Sequence, residues 1–554
     1  MSSRSSAASR RGGLALFALI FALFLLRYCA FGFTYYPQQD DYIQYHNYPS
    51  SSSFLALAQA VGLLASRPLA GAADFFLWGP LFDHMILAVL ILSAMYTAYV
   101  LCAAGLLGRY FRVGPVFYAL ACFLPLGMEG LYWVSASSRV VVGLLFGVLA
   151  AWVFAKWLDT GRPLLMALYL PLQLLPFGFY EQCGVLSVTF VLGIALLEWK
   201  RHGRRVLAAL WSLAAMALYL LYTKVMANSG VYSSRAGLIL PITPYYWKVF
   251  FPKIIRQLGG VFAAGGALTL FKGFWRGIPL ALQRIPWLLA ALACCAALAL
   301  VLGRRAEREE DGRQARAHFS PGWAILAGFL LALAPLSLFF VLSEGWIPMR
   351  GASMSLVGLG LMADGFFQLL LGRLRGGWRQ PCALLSGVLA LIFCVACLSE
   401  LKDYRDTYLC DQHVAQVVIR DLSGVSPSSR VGVLGLEETY LPDQNFFYHG
   451  HIIGCTESDW ALAGLLAAVR PEPGPSVSPL HTGVMYQAWN CESNRPETFD
   501  ALYYYDGDSL HPLWLEQTGE HAYTVSYASG PVLGRIWEDE NRNGYFELAS
   551  EALA

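Results

Sequence analysis

A polytopic α-helical membrane protein with a C-terminal α+β domain is the fold class that this sequence predicts. Three observations carry the prediction. Of the 554 residues, 57% are hydrophobic and only 14% are charged, where a soluble chain would carry about a quarter charged. Apolar runs long enough to cross a bilayer recur through residues 12–399, and the mean hydropathy of the whole chain is +0.50. The charge is split along the chain. Residues 1–399 hold 31 Lys/Arg against 14 Asp/Glu, and residues 400–554 hold 8 against 23. A basic membrane body is thus followed by an acidic, polar tail. No basic patch interleaved with aromatics stands out, so nucleic acid is not an expected partner.

The elements follow in order. Residues 1–11 read as a cytoplasmic N-terminus and 12–399 as the membrane body. Spanning segments are expected near 12–34, 82–107, 115–130, 138–155, 163–180, 182–198, 206–226, 286–303, 321–342, 351–371 and 381–399, about eleven helices. The first run is too long for a signal-peptide core and no A-x-A-like site ends it, so it reads as a retained helix. Arg4, Arg10 and Arg11, Arg109 and Arg112, Lys156 and Arg162, Lys200 to Arg205, Arg304 to Arg316, and Arg373 to Arg379 fall in every second loop. The positive-inside rule then places the N-terminus in the cytoplasm and residues 400–554 outside a multi-pass cell membrane. Outer loops are expected at 35–81 and 227–285. The second loop carries Lys248, Lys253, Arg256, Lys272, Arg276 and Arg284 against that rule. Its short apolar piece Leu258–Phe271 reads as a helix on the outer face, with a missed span as the alternative.

Several acidic residues of the body fall at this outer side: Asp40, Asp41, Asp74, Asp83, Glu129, Glu181 and Glu344. Near a membrane such groups must be solvated or paired. Arg67, Arg139 and Arg350 are outer cations that suit a carboxylate or a phosphate. Tyr35, Tyr36, Tyr42, Tyr132, Trp133 and Tyr180 are near them in sequence, although interfacial belts are rich in Tyr and Trp in any case. A carboxylate can take the proton of an attacking hydroxyl, arginine can stabilise a departing phosphate, and aromatic faces suit sugar rings. Together these point to sugar transfer from a lipid-phosphate donor. Asp40 and Asp41 are the candidate catalytic residues. Arg67, Glu129, Arg139, Tyr180, Glu181 and Arg350 are the candidate substrate-binding residues.

The acidic pair in the first outer loop ("QQDDYIQY"), the later arginine ("ASRPLAG") and the many apolar helices resemble the GT-C superfamily of integral membrane glycosyltransferases. The resemblance is to bacterial polyprenyl-phosphate-sugar-dependent families of the GtrII-like kind, and it covers roughly residues 12–399. It implies a polyprenyl-phosphate sugar donor, an envelope glycan or lipid acceptor, surrounding membrane lipids, and a first-loop aspartate as general base, with Asp40 favoured. Some members use a divalent cation, and nothing in this sequence marks a metal site. A polysaccharide polymerase or ligase, a transporter and a scaffold stay open as alternatives.

In the tail, "RVGVLGL" (430–436), "HAYTVSYA" and "VLGRIWE" read as strands, and "SDWALAGLLAAV" (458–469) reads as a helix capped by Ser458 or Asp459. Cys410, Cys455 and Cys491 allow one disulfide with one thiol left over. "DENRNGYFE" (539–547) matches the first half of a calcium loop, but its twelfth position is Ser550 and Glu551 is one place late. An Asn-Gly hairpin is therefore the favoured reading. "ALYYYDGDSLHPLW" suits either a glycan or a core edge.

Overall fold

A computed structural model of the chain describes residues 2–51, 53–226, 237–312, 319–342, 346–372, 379–441, 452–528 and 530–549. Arg316, Glu344, Arg373, Arg375, Ser550 and Glu551, together with 227–236 of the second loop, lie outside the described residues. The chain divides into two compact units. One is the membrane body. The other comprises Tyr36–Ser50 and most of the chain after Lys402.

The body is helical. Among the described residues, eight helices are long and apolar enough to cross a membrane: Gly12–Cys29, Pro68–Leu107, Val134–Thr160, Glu181–Met226, Tyr246–Leu282, Ile285–Glu307, Pro321–Phe340 and the apolar half of Arg379–Asp421. Charge pairing aligns three of them. Arg109, just beyond Met85–Leu107, reaches Asp159 at 2.8 Å and Glu198 at 3.8 Å, which are near the C-terminal ends of Val134–Thr160 and Glu181–His202. These three helices therefore end together, and the chain must return between them. The returns are broken. Pro115–Phe123 is a helix of 9 residues, about 13 Å long, and residues 124–128 separate it from Glu129–Tyr132. The expected unbroken span 115–130 is thus replaced by a short buried helix and a turn. Pro125 interrupts the helix there, and the neighbours bury the exposed backbone as a membrane requires. Gly203, at φ 52°, ends the Glu181 helix. Leu210–Met226 then folds back, with Tyr219 stacked on Phe177 at 5.2 Å.

The helical run Tyr246–Leu282 contains the piece 258–271. It is long enough to cross, yet its described contacts gather at one end of the body. Tyr246, Phe250, Ile254 and Val261 pack with Leu126, Ile347 and Met349, and Gly277 rests on the Val395 carbonyl.

The tightest helix crossing joins Pro321–Leu333 to Leu356–Leu371. A Cβ on Gly358 would stand 2.3 Å from the Ala332 nitrogen, and one on Gly328 would stand 2.5 Å from the Met362 nitrogen. Small residues at such crossings let backbones meet, which stands in for the missing hydrophobic drive in lipid. Gly358→Ala is expected to force the pair apart and cost about 1–3 kcal/mol, read by thermal unfolding in detergent. Gly193→Ala, where an added methyl meets nothing within 4 Å, is expected to leave stability unchanged or slightly raised.

The polar unit is built on an eight-stranded sheet of order β2-β1-β4-β5-β6-β7-β8-β3. Its strands are β1 Arg430–Leu434, β2 Ser476–Leu480, β3 Gly483–Tyr486, β4 Ala501–Tyr505, β5 Leu510–Gly519, β6 Ala522–Tyr527, β7 Val532–Glu538 and β8 Gly544–Leu548. β2, β1 and β4 are parallel, and the helix Asp459–Val469 makes the crossover between β1 and β2. From β4 the sheet continues antiparallel. Ser458 caps the crossover helix, accepting from the Ala461 nitrogen at 3.3 Å. The Tyr-rich stretch forms the β4–β5 hairpin, with Tyr503 opposite Pro512. Cys410, Cys455 and Cys491 are free thiols. The "DENRNGYFE" segment makes the β7–β8 turn. Asp539 accepts from the amides of Asn541 and Asn543 at 2.9 and 2.8 Å, so its carboxylate closes its own loop.

Candidate functional site

The three arginines of the membrane unit that the sequence singles out each meet a carboxylate. Arg67 grips Glu181 with both prongs, Nε to Oε2 at 2.9 Å and Nη2 to Oε1 at 2.7 Å. Its guanidinium lies 3.9 Å over the ring of Tyr180. The fork geometry and the ring face together hold a planar cation. Arg139 pairs through Nη2 with Asp74, which is fully buried, and its charge also reaches Glu181. Arg350 donates from Nη1 to Glu129 Oε1 at 2.8 Å and from its backbone nitrogen to Oε2 at 3.1 Å.

Local sequence explains the third pair. Gly127 has a φ of 69°, and a Cβ there would stand 2.5 Å from the Ser353 nitrogen. Only glycine allows the turn before Glu129 to rest on the helix Met349–Ser353. Between two of the pairs lies Gln182. It is next to Glu181 in sequence, and its amide is 3.7 Å from where a Gly351 Cβ would be. It is 2% exposed, and neither amide atom has a partner among the described residues. Sequence reasoning passed over Gln182. The one signal for it was its place in "FYEQCG", beside an acid at a helix start.

Aromatics gather in the same unit. Tyr132 stacks on Tyr28 at 5.4 Å, with Tyr35 tilted against it at 5.4 Å. The Tyr35 hydroxyl accepts from the Val134 nitrogen at 2.9 Å. Trp133 is buried with them.

Asp40 and Asp41 fall in the polar unit, on the helical turn Gln39–Asp41 that runs on into Tyr42–Asn47. Their environments differ. Asp41 is fully buried and its Oδ2 accepts from the Gln38 nitrogen at 2.8 Å, capping the turn. Asp40 is half-buried. The Gln39 amide donates to Glu457. Burial, and next the negative charge of Asp40, raise the pKa of Glu457 above the ordinary carboxylate value. In this unit Tyr36 packs against Tyr408 at 5.5 Å, and the Tyr42 hydroxyl accepts from Gln412 at 3.2 Å. Glu457 was not singled out in the sequence, because some 400 positions separate it from Asp40.

The candidate residues therefore divide, with Asp40 and Asp41 in the polar unit and Arg67, Glu129, Arg139, Tyr180, Glu181 and Arg350 in the membrane unit. Among the described residues, no group of three or more His, Cys, Asp or Glu is arranged to hold a metal ion. No protein-family model matches the chain, and no curated protein matches it.

Proposed function

We propose that the chain transfers a sugar from a polyprenyl-phosphate-linked donor to an envelope glycan or lipid acceptor at the outer face of the membrane, as a GT-C-like glycosyltransferase. In this reading eleven segments cross the bilayer, the basic ends face the cytoplasm and the polar unit lies outside. The observation that carries the reading is the Asp40–Glu457 pair. Asp40 is a half-buried carboxylate beside a second acid that holds its proton more tightly than usual, an arrangement suited to a general base. Asp40 takes the proton of the acceptor hydroxyl as its oxygen bonds to the anomeric carbon. The bond from that carbon to the donor phosphate breaks, and the lipid phosphate departs with the electron pair.

Asp40→Asn in the purified full chain is expected to lower transfer from polyprenyl-phosphate sugars at least about 100-fold with donor binding retained. Asp41→Ala is expected to cost about 1 kcal/mol of stability through the lost acceptor for the Gln38 nitrogen, with turnover per folded molecule kept. Wild-type turnover in Asp40→Asn would remove the base from this loop.

One observation favours a transporter as the second reading. Interrupted helices meet at the half-buried Glu129–Arg350 pair, as interrupted helices frame sites in carriers. Solute accumulation in proteoliposomes without sugar release would decide for it.

A further inference from the structure

Arg27 belongs to the apolar stretch Gly12–Cys29 and is 6% exposed. Its Nη2 donates to the Cys122 carbonyl at 3.3 Å, and its guanidinium lies 4.9 Å from the Phe24 ring centre. Its Nε has no acceptor, and no carboxylate pairs with it, among the described residues. Arginine cannot shed its proton to escape burial, and an unpaired charge within a membrane protein is among the costliest groups to bury. Arg67, Arg139 and Arg350 each have an acid, and Arg27 has none among the described residues.

Beside it is a cavity of about 20 Å³, lined by Arg27, Tyr28, Ser93, Tyr96 and Ser137 with apolar side chains around them. That is room for a small body such as a water molecule or a monatomic ion. Water fits by size but brings no negative charge. The helix Val134–Thr160 begins at this cavity, with Val134 and Ser137 of its first turn in the wall. Its positive end adds to the guanidinium. The Tyr96 hydroxyl is turned away, donating to the Ala121 carbonyl at 2.7 Å.

We propose that this cavity is a binding site for a monatomic anion of chloride size, which serves as the counterion of Arg27. The proposal is independent of the sugar-transfer reading. Such an ion would bind the folded chain and not the unfolded one, so its concentration sets apparent stability. The test is thermal unfolding of the full chain in detergent, with chloride titrated against gluconate at constant ionic strength. A saturable rise of a few degrees with chloride, reproduced by bromide, is expected. Arg27→Gln is expected to show no response to chloride. Val141→Leu, which narrows the cavity without touching the charge, is expected to weaken the response and serves if Arg27→Gln does not fold. Equal stability in chloride and gluconate would overturn the proposal. A chloride response that survives undiminished in Val141→Leu would overturn it as well.

Discussion

Glu129→Gln is expected to destabilise the membrane unit by about 1–3 kcal/mol, the cost of leaving buried hydrogen-bonding groups without their partner. Glu129 is 3% exposed and takes two hydrogen bonds from Arg350, one from the side chain and one from the backbone. Glutamine is nearly isosteric, so the shape survives. Its amide nitrogen would face a donor where an acceptor now stands, and the guanidinium would lose this countercharge. The turn that carries Glu129 touches Met349–Ser353 backbone to backbone at Gly127, so it has little room to relax. Arg350→Met in the same chain is expected to recover most of the loss, since a neutral thioether needs no partner. Unfolding of the four chains of this cycle in detergent would read the coupling. Losses that simply add would show that the pair does not act as a unit.

Polarity and periodicity made much of this architecture legible. "VLGRIWE" is β7 residue for residue. "SDWALAGLLAAV" forms its helix with Ser458 as the cap, because a short hydroxyl before an apolar periodic run has one favourable use. The three arginines were readable as cations in need of acids. Which acid each one meets was not, since Arg67 and Glu181 are 114 positions apart and only packing brings them together. Two kinds of feature stayed hidden. The break after Pro115–Phe123 sits in a run whose hydropathy is that of an ordinary span, and hydropathy does not register a backbone that leaves the helix while staying buried. The grouping of Tyr36–Ser50 with the polar unit depends on close packing, such as Gly464 against the Tyr42 backbone. No local pattern announces such a contact.

Asp411→Asn is expected to stabilise the polar unit at pH 8 and to flatten its dependence on pH. The apolar part of Arg379–Asp421 ends near residue 399, and Asp411 lies about 18 Å further along the helix, among charged residues and within the polar unit. Burial pushes its carboxyl up to about 7 from 3.8, against the opposing hydrogen bonds from Cys455 and Tyr440. The protonated form is therefore favoured by folding. Its contribution is fully present below the unfolded pKa and is lost as pH rises through about 7. At ~1.4 kcal/mol per pH unit, the loss by pH 8 is about 4 kcal/mol. Asparagine stays neutral and keeps an oxygen for the Cys455 nitrogen, which Asp411 now holds at 2.8 Å. Glu457 and Asp459 are also raised, chiefly by burial, and pull in the same direction. Asp421, Asp506 and Glu538 are held low, first by Arg420, by the Asp508 amide and by Arg495 respectively. They act in the opposite sense, but only at acid pH, so the fall between about pH 4 and 8 belongs to the raised acids. Urea unfolding of the full chain across that range would test this, and parallel profiles for wild type and Asp411→Asn would refute it. The same bond ties stability to the candidate base. Cys455 opens the turn Cys455–Glu457, which carries the carboxylate that burial and then the charge of Asp40 raise. Asp411→Asn should then extend the alkaline limit of any turnover that depends on Asp40.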